Sequence, residues 1–432
     1  MDILVVGGGG REHAIIRKLK ESPRVGTIYC APGNGGISAD AVCVDIGAKD
    51  IEKMVAFAGE KAVDFVVVAP DDPLAIGMVD AFDAAGFLAF GPTKAAARIE
   101  SSKVFSKHLM KKYGIPTAEY EVFDDAVEAM NDISDRNRYP VVIKADGLAL
   151  GKGVVIPESR KEAEEALQSI MGERIFGESG SRVVVEEFLT GPEVSVLAFV
   201  EGSTVVPMVS AMDHKRALDG NQGPNTGGMG TVSPNPHYTP EMATLCMETI
   251  FQPTADAMVA EGCPFRGCLF FGLMLTPNGP KVIEYNCRFG DPETQVVLPL
   301  LDSDLLEVFL AVAKGKNALG NIAPGKLAEI APSIRWKNAH AACVVAASGG
   351  YPGKYETGLP ISGLDSGGQC PEVTVYHAGT KRQGNDYLTA GGRVLGVTDT
   401  GATLEEALDA AYHGIEVISF DGMHYRKDIG KY

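Results

Sequence analysis

The chain has 432 residues, 45% of them hydrophobic and 22% charged, so it is long enough for two to four folded domains and too apolar to be disordered. Its formal net charge of -17 argues against a protein that coats nucleic acid, because phosphate backbones are held by clusters of Lys and Arg. We identify neither a signal peptide nor an apolar run of about 18 residues that could cross a membrane. We therefore expect a cytoplasmic enzyme, and a small anionic substrate stays possible because a few local cations suffice to bind it. The eight cysteines are expected to be reduced and mostly buried.

Short apolar runs alternate with helix-like segments over residues 1–100, starting with "DILVV" and "REHAIIRKLK". This alternation predicts parallel strands joined by right-handed crossovers, which form a doubly wound α/β domain. Ligands of such domains bind beyond the carboxyl ends of the strands, where "GGGGRE", "APGNGG" and "APDDPL" fall. We therefore expect a ligand site at this edge of the first domain.

The glycine-rich turn "GGGGREH" raises the question of a dinucleotide cofactor. The fingerprint G-x-G-x-x-G/A fits at Gly7 and Gly9, but Glu12 occupies its third position. The predicted second strand also ends without the acidic residue that holds a ribose. The dehydrogenase hypothesis is therefore demoted and stays open as an alternative. Backbone N–H groups at a helix start, beside Arg11, could instead bind a phosphate; a tight turn without a ligand is the other interpretation.

Strands and helices mix less regularly over residues 101–323, which predicts a central α+β region. In it, "TPNGP" separates two strand-like runs and predicts a hairpin. From residue 324 to residue 432, strand-like runs with one or two helices predict a small C-terminal strand-rich domain.

The segment "VVIKADGLALGKGVVI" places Lys144 at a strand end, before a glycine-rich loop. That loop contains Gly147, Gly151, Lys152 and Gly153. It is not a P-loop, because a strand follows it and no Ser or Thr follows its second lysine. We expect a flexible hairpin that folds over phosphates, with Lys144 as a point charge on them. An ordinary exposed hairpin with surface lysines is the alternative.

The segment "RVVVEEFLTGPEV" borders a strand end with the carboxylates of Glu186, Glu187 and Glu193. A carboxylate and the backbone of an extended connector could recognise an adenine, and Glu193 could accept hydrogen bonds from ribose hydroxyl groups. Taken alone, the segment is more typical of solvated acids.

In "PKVIEYNCRFGDPETQ", Glu284 and Asn286 lie two residues apart in a predicted strand and so point to one face, with Ile283 and Tyr285 on the other. Two oxygen ligands suit a hard cation such as Mg2+ that is shared with nucleotide phosphates. Arg288 follows on the same side, so a metal ion, a phosphate and a cation could converge there.

The segment "MDHKRALDGNQGPNTGGMG" combines Asp213, Lys215 and Arg216 with a long glycine-rich loop. Long loops in compact domains are usually functional or disordered, and the dense polar motif favours function. The loop residues concerned are Asn225, Thr226, Gly227, Gly228, Met229 and Gly230.

Motifs along the chain resemble, in the same order, those of the glycinamide ribonucleotide synthetase family within the ATP-grasp superfamily. They include "GGREHA", "APGNGG", "FGPT", "VIKADGLALGKGV", "DHKR", "GPNTGGMG", "NCRFGDPETQ", "GGYPG", "HAGTK" and "GGRVL". The resemblance extends over nearly the whole chain, and "GPNTGGMG" and "NCRFGDPETQ" are very specific. It implies a substrate-binding domain (1–100), an ATP-grasp region (101–323) with a lid-like small subdomain (118–190), and a C-terminal domain (324–432).

The resemblance implies a reaction. ATP would phosphorylate the carboxylate of glycine, and the amine of 5-phosphoribosylamine would attack the glycyl phosphate to give glycinamide ribonucleotide, ADP and phosphate. This is the second step of de novo purine biosynthesis. Mg2+ is the implied metal, with Mn2+ as an alternative, and the chain would be a monomer or a homodimer.

The resemblance also implies residue roles. The ATP phosphates would be held by Lys103, Lys144, Gly147, Gly151, Lys152 and Gly153. The adenosine part would be held by Glu186, Glu187, the backbone of Leu189 and Glu193. The metal ligands would be Glu284 and Asn286. Glycine and the transferred phosphoryl group would be surrounded by the catalytic residues Arg288, Asp213 and Lys215 and by the loop from Asn225 to Gly230. The sugar-phosphate amine would be bound by Gly8, Gly9, Arg11 and Glu12.

One departure from the family is Asp71 in "PDDPL", where the family usually has a glutamate, so a contact of the longer acid could be altered. Two alternatives stay open: an ATP-grasp carboxylate–amine ligase with other substrates, and a non-catalytic nucleotide-binding regulator. We also expect the glycine-rich hairpin after Lys144 and the Asn225–Gly230 loop to become ordered when ATP binds.

Overall fold

The computed structural model describes residues 1–148, 153–313 and 326–431. The elements of the N-terminal domain are β1 (Ile3–Gly7), α1 (Gly10–Leu19), β2 (Ile28–Pro32), α2 (Ile37–Asp40), β3 (Val42–Cys43), α3 (Ile51–Glu60), β4 (Phe65–Val68), α4 (Asp71–Ile76), α5 (Met78–Ala84) and β5 (Ala89–Phe90). The five strands are parallel in the order β3-β2-β1-β4-β5, which confirms the predicted doubly wound domain. The order reverses between β1 and β4, so the turns after these two strands border one crevice.

Two helices, α6 (Lys94–Ser101) and α7 (Lys103–Tyr113), lead into the next part of the chain. Each begins at a capping residue: Thr93 and Ser102 accept hydrogen bonds from the first turn of their helices. A small four-stranded antiparallel sheet follows, with its own apolar core, in the order β6-β9-β7-β8. Its elements are β6 (Tyr120–Phe123), α8 (Ala126–Arg136), β7 (Val141–Ala145), β8 (Val154–Val155), α9 (Arg160–Leu167) and β9 (Val183–Glu187).

A second four-stranded antiparallel sheet, in the order β11-β10-β16-β17, forms the centre of the molecule. The elements from here to residue 330 are β10 (Glu193–Glu201), β11 (Thr204–Pro207), β12 (Met212–Asp213), β13 (Arg216–Leu218), β14 (Gln222–Asn225), β15 (Gly230–Ser233), α10 (Pro240–Cys246), α11 (Gln252–Ala260), β16 (Arg266–Thr276), β17 (Gly279–Asn286), α12 (Thr294–Val297), α13 (Leu305–Ala313) and α14 (Lys326–Ile330). The antiparallel pair of β16 and β17 is the hairpin predicted at "TPNGP".

A β-bulge interrupts β17. Glu284 pairs with Gly272, whereas Val282 pairs with Leu273, so Ile283 is the extra residue. The simple alternation predicted for this strand is therefore wrong at Ile283, which is only partly buried, while Val282 and Tyr285 are buried.

The C-terminal domain consists of β18 (His340–Ala347), β19 (Pro360–Ile361), β20 (Thr374–His377), β21 (Thr380–Gln383), β22 (Asp386–Thr389), β23 (Arg393–Gly401) and α15 (Leu404–Val417). This matches the predicted strand-rich domain with few helices. Its main sheet has the order β12-β15-β18-β23-β20, so two short strands of the central region belong to it. Because β15 pairs with β18 from Gly230 onward, the glycine-rich loop before β15 leads directly into the C-terminal sheet.

Over the three described ranges, every helix is too short or too polar to cross a lipid bilayer.

Candidate active site

The glycine-rich turn after β1 leads into α1 and contacts the chain near residue 290. Gly9 is the N-cap residue of α1, and its N–H donates to Glu12 Oε2 at 2.6 Å. Arg11 Nε donates to Glu12 Oε1 at 2.7 Å, and Arg11 Nη1 donates to the carbonyl of Phe289 at 3.1 Å. The turn is therefore organised around a buried Arg–Glu pair, and Glu12 already occupies one N–H group that was predicted to bind an anion.

Asn34, in the "APGNGG" segment after β2, joins this turn to the C-terminal domain. Its Nδ2 donates to the carbonyl of Gly8 at 3.0 Å and to the carbonyl of His377 at 2.7 Å. Sequence analysis gave Asn34 no role, and its position beside Gly8 makes it part of the same crevice.

Asp71, the residue that departs from the family pattern, follows β4 on the other side of the crevice. Burial alone would raise the pKa of its carboxyl, but the charges of Arg288 and Arg11 outweigh burial and lower that pKa. The N-terminal crevice and Arg288 of the central region are thus electrostatically linked.

Two lysines, Lys107 on α7 and Lys144 on β7, pair with Glu186 on β9. Lys103 lies one turn before Lys107 on α7, and we call Lys103, Lys107, Lys144 and Glu186 the lysine cluster. Lys107 Nζ lies 2.8 Å from Glu186 Oε2 and Lys144 Nζ lies 2.9 Å from Glu186 Oε1, with all three side chains at most 5% exposed. Lys103 Nζ donates to the carbonyl of Gly147 at 3.0 Å. Burial lowers the pKa of Lys107 to about 8, against the opposing charge of Glu186. Lys107 and Lys144 thus place two buried positive charges against one carboxylate.

No role was predicted for Lys107, which stands in the segment "SKVFSK" at residues 102–107. The available signal was its spacing: Lys103 and Lys107 are four residues apart and so share one face of a helix. Nothing in the sequence shows that this face is buried, because lysines on helices are usually solvated.

The glycine-rich hairpin follows Lys144. Strands β7 and β8 pair antiparallel, and Ala145 N donates to the carbonyl of Gly153 at 2.9 Å. Gly151 and Lys152 lie outside the described residues. The described ends of the loop therefore place Gly147 and Gly153 beside the lysine cluster.

The bulge at Ile283 connects the lysine cluster to Glu284. Lys144 Nζ donates to the Ile283 carbonyl at 2.9 Å, so the bulge supplies an acceptor beside the ammonium group. Burial would raise the pKa of Glu284, but nearby cations outweigh burial and lower that pKa. Those cations are Lys215, Lys144, Lys103 and Arg288.

Four charged residues meet on the far side of Glu284, and we call Asp213, Lys215, Arg288 and Glu293 the mixed-charge cluster. Lys215 Nζ lies 3.9 Å from Glu284 Oε1. Burial and the charge of Glu293 raise the pKa of Asp213. Burial also raises the pKa of Glu293. Like charge and burial thus both oppose ionisation of Asp213, while the charges of Lys215 and Arg393 oppose that shift.

Arg288 is held by Glu100, a residue of α6 that sequence analysis missed. Arg288 Nη2 lies 3.2 Å from Glu100 Oε1 and donates to Asn286 Oδ1 at 3.1 Å. Glu100 Oε2 accepts the N–H of Cys287 at 2.7 Å. Glu100 therefore fixes both the arginine and the backbone of the strand end that carries Asn286.

The loop from Asn225 to Gly230 lies against the mixed-charge cluster. Thr226 Oγ1 donates to the carbonyl of Lys215 at 2.8 Å, and Gly228 N donates to Thr226 Oγ1 at 3.0 Å. Gly228 has a φ of +113°, and a Cβ there would lie 2.5 Å from Asp213 Oδ1, so glycine is required. Met229 is buried, whereas Asn225 is exposed at the end of β14.

The residues predicted to hold adenosine lie at the end of β9, in the connector that follows it and at the start of β10. Glu187 pairs with Lys281 at 2.7 Å, and Leu189 is partly buried in the connector. Glu193 Oε2 lies 3.2 Å from Lys215 Nζ. The connector thus runs from the lysine cluster to the mixed-charge cluster.

Glu284 and Asn286 offer one carboxylate and one amide oxygen to a metal ion. In the part of the chain that the structure describes, no three His, Cys, Asp or Glu side chains form a cluster that could hold a metal alone. This donor set fits Mg2+, which prefers oxygen ligands and commonly keeps waters and substrate phosphates in its shell.

The same architecture occurs in known proteins. The chain matches three family models described as the N domain (residues 1–100), the ATP-grasp (A) domain (101–294) and the C domain (341–432) of phosphoribosylglycinamide synthetase. The fold and the site define an ATP-grasp enzyme.

Relatives of the same length identify the family. The chain is 48% identical to phosphoribosylamine–glycine ligase of Caldanaerobacter subterraneus, over 99% of both chains, and 46% identical to that of Clostridium acetobutylicum, over the full length of both. The crystal structure of phosphoribosylamine–glycine ligase from Thermotoga maritima superposes with a TM-score of 0.83 at 36% identity over both whole chains. A biotin carboxylase domain from Hydrogenobacter thermophilus shares the fold, with a TM-score of 0.72 at 16% identity over 98% of this chain and 91% of that one. The chain belongs to the phosphoribosylglycinamide synthetase family.

Proposed function

We propose that the chain is a phosphoribosylamine–glycine ligase. It joins glycine to 5-phosphoribosylamine at the expense of ATP, through a glycyl phosphate, and releases glycinamide ribonucleotide, ADP and phosphate in the second step of de novo purine biosynthesis. The observation that carries the proposal is the convergence of the lysine cluster and the mixed-charge cluster on Glu284. Full-length relatives that bear this enzyme's name support it.

The reaction has two steps. A carboxylate oxygen of glycine attacks the γ-phosphorus of ATP, the bond to the bridging oxygen breaks, and ADP leaves. The amine nitrogen of 5-phosphoribosylamine then attacks the acyl carbon, the bond to the phosphate oxygen breaks, and the amine gives up a proton. Because phosphoryl transfer places charge on oxygens, the protein's main contribution is fixed positive charge and positioning.

The lysine cluster supplies that charge on the nucleotide side. Lys103 and Lys144 bind the ATP phosphates, and Gly147 and Gly153 lie beside them. Gly151 and Lys152 would act on the same phosphates, as the resemblance implies. Glu186 keeps the buried ammonium groups of Lys107 and Lys144 in place before ATP arrives.

The adenosine part of ATP lies along the connector between β9 and β10. Glu186, Glu187 and the backbone of Leu189 contact the adenine, and Glu193 accepts from the ribose. In this arrangement Glu193 would exchange its ion pair with Lys215 for ribose hydroxyl groups when ATP binds.

The mixed-charge cluster handles glycine. Arg288 and Lys215 hold the glycine carboxylate and the transferred phosphoryl group, and Asp213 faces the glycine ammonium group. The loop residues Asn225, Thr226, Gly227, Gly228, Met229 and Gly230 enclose this volume and exclude water, which would otherwise hydrolyse the acyl phosphate.

The N-terminal crevice receives 5-phosphoribosylamine. Arg11 and the N–H group of Gly8 bind its phosphate, and Glu12 orients Arg11 and holds the N–H group of Gly9. Asp71 lies near Arg11 and Arg288, so the shorter acid keeps an electrostatic contact with both.

Glu284 and Asn286 would bind Mg2+, or Mn2+ in its place. When bound, the ion neutralises charge on the β- and γ-phosphates and fixes their orientation. We expect the enzyme to act in the cytoplasm as a monomer or a homodimer, independently of nucleic acid and membranes.

The test is an ADP-release assay with glycine, in the presence and absence of freshly made 5-phosphoribosylamine. Stoichiometric ADP and glycinamide ribonucleotide with both substrates support the proposal. A ligase with other substrates would form no glycinamide ribonucleotide, and a non-catalytic regulator would bind ATP without releasing ADP.

A further inference from the structure

The C-terminal domain reaches into the site through Arg393, the first residue of β23. A bulge lies beside it: Ala347 pairs with Arg393 and Ala346 pairs with Leu395, which leaves Val394 as the extra residue. Bulges commonly re-aim a side chain next to an active site. Here the guanidinium group points away from its own sheet and toward the central region.

Arg393 contacts two segments that are far apart in the sequence. Its Nη1 donates to the carbonyl of Gly227 at 2.6 Å and to the carbonyl of Asp291 at 2.7 Å, and its Nη2 lies 3.0 Å from Asp291 Oδ2. Both charged side chains are 19% exposed. One planar fork therefore ties the glycine-rich loop to the "FGDP" turn.

The loop is fitted to this arginine. A Cβ at Gly227 would lie 2.9 Å from Arg393 Cζ, so a larger residue would displace the guanidinium group. Gly227 N also donates to the hydroxyl of Tyr351, another C-terminal residue, at 3.0 Å. The C-terminal domain thus holds Gly227 at both its carbonyl and its N–H.

Asp291 also lies close to the N-terminal crevice. Its Oδ1 accepts from Gln295 Nε2 at 2.7 Å, and a Cβ built on Gly9 would lie 3.6 Å from its Oδ2. Arg393 therefore stands where the loop over the glycine site and the turn of the sugar-phosphate site meet.

We propose that Arg393 is a positioning residue that couples the two steps of the reaction: it clamps the glycine-rich loop onto the "FGDP" turn, so that glycyl phosphate is shielded from water until the amine attacks. This inference rests on the proposed function. Arg393 acts through Gly227 and Asp291 and needs no contact with a substrate. Lysine cannot replace it fully, since one ammonium group cannot span both carbonyls and the carboxylate.

The experiment compares ADP and glycinamide ribonucleotide formed by wild type, Arg393→Ala and Arg393→Lys, with Arg382→Ala as the matched control. Arg382 lies in the same domain and also donates to two backbone carbonyls, those of Gly384 and Ser366. We expect Arg393→Ala to lower product formation about 100-fold while ADP release falls far less, because a misplaced loop admits water. In Arg393→Ala the ratio of ADP to product should rise well above one. The ratio for Arg393→Lys should lie between those for wild type and Arg393→Ala, and the ratio for Arg382→Ala should stay near one.

Two further variants keep the test decisive if Arg393→Ala does not fold. Tyr351→Phe removes only the acceptor for Gly227 N, and Gly227→Ala displaces the arginine; both should raise the ADP-to-product ratio. Equal losses of ADP and product in all folded variants, with the ratio at one, would overturn the role of Arg393. A wild-type enzyme that forms no glycinamide ribonucleotide would instead overturn the proposed function.

Discussion

The lysine cluster and the mixed-charge cluster both concentrate buried charge around Glu284, but they are assembled differently. The lysine cluster comes from one continuous stretch, between Lys103 and Glu186, in which Lys107 and Lys144 pair with Glu186 at 2.8 and 2.9 Å. The mixed-charge cluster is held by residues from three domains, from Glu100 to Arg393. In the proposed function, nucleotide phosphates would therefore meet a site built from one stretch of chain, whereas the acid and amine substrates would meet a site that exists only where domains touch.

The strongest test of this contrast removes a charge from the local site. Lys144→Met should lower kcat/KM for ATP about 1,000-fold, because a fixed cation on the phosphates is lost, and should leave KM for glycine nearly unchanged. Steady-state kinetics with each substrate varied in turn measure the effect. Lys161→Met, at a lysine of α9 whose side chain is 84% exposed, is the control. A loss below tenfold would place Lys144 away from the phosphates.

The next test lies on the boundary between the clusters. Glu284→Gln should lower kcat about 100-fold and raise the Mg2+ concentration needed for half-maximal rate, because a metal carboxylate becomes a neutral amide. A Mg2+ titration at saturating ATP measures it. Glu261→Gln changes an exposed acid of the same region and should behave like wild type. An unchanged Mg2+ dependence would remove Glu284 from the metal site.

A smaller effect is expected at the N-terminal edge of the mixed-charge cluster. Arg11→Ala should raise KM for 5-phosphoribosylamine about tenfold, which is the loss of one charge-assisted phosphate contact, with little change in ATP binding. Arg17→Ala, on the same helix, should change neither the KM for 5-phosphoribosylamine nor the binding of ATP. Equal losses in ATP and amine affinity would show a folding defect and not a substrate contact.

The last prediction concerns stability in acid, which should fall first where the domains meet. His214 follows Asp213 and is buried; Gly430 N donates to its Nε2 at 3.0 Å, and its Nδ1 donates to the Gly230 carbonyl at 3.1 Å. Burial, helped by Arg426, lowers the pKa of His214 to about 4 from 6.5. The unfolded chain therefore binds the extra proton below pH 6.5, so stability falls as pH drops from 6.5 to 4, by roughly 3 kcal/mol for this residue.

Denaturant unfolding as a function of pH measures this loss. His214→Gln keeps an acceptor for Gly430 N. It should reduce the slope of the unfolding free energy against pH, between pH 6.5 and pH 4, by the equivalent of about one proton. An identical slope in the variant would show that His214 titrates normally in the folded protein.

The contrast between the clusters also explains how much the sequence could predict. The doubly wound domain, the β16–β17 hairpin and the strand-rich C-terminal domain follow from local periodicity and turn residues, and all three are present. Lys144, Glu284 and Arg288 lie in dense motifs, and the structure brings them together. These features depend on short stretches of chain.

The missed features depend on contacts between distant segments. From the sequence alone, Glu100 is one more acid on an amphipathic helix, and its role follows from the contact with Arg288. Nothing in the sequence marks Arg393 as buried, and its role follows from the contacts with Gly227 and Asp291. The bulge at Ile283 arises from the pairing with β16, which a single strand cannot reveal. Sequence periodicity predicts elements, whereas burial and partners require the assembled domains.

The central claim is that ATP activates the carboxylate of glycine by phosphorylation, and isotope transfer tests it most directly. Glycine labelled with oxygen-18 in both carboxylate oxygens is converted with ATP and 5-phosphoribosylamine, and the inorganic phosphate released is analysed by mass spectrometry. We expect each phosphate to carry one labelled oxygen, because the acyl–oxygen bond breaks when the amine attacks. Release of unlabelled phosphate at full product yield would contradict a glycyl phosphate intermediate.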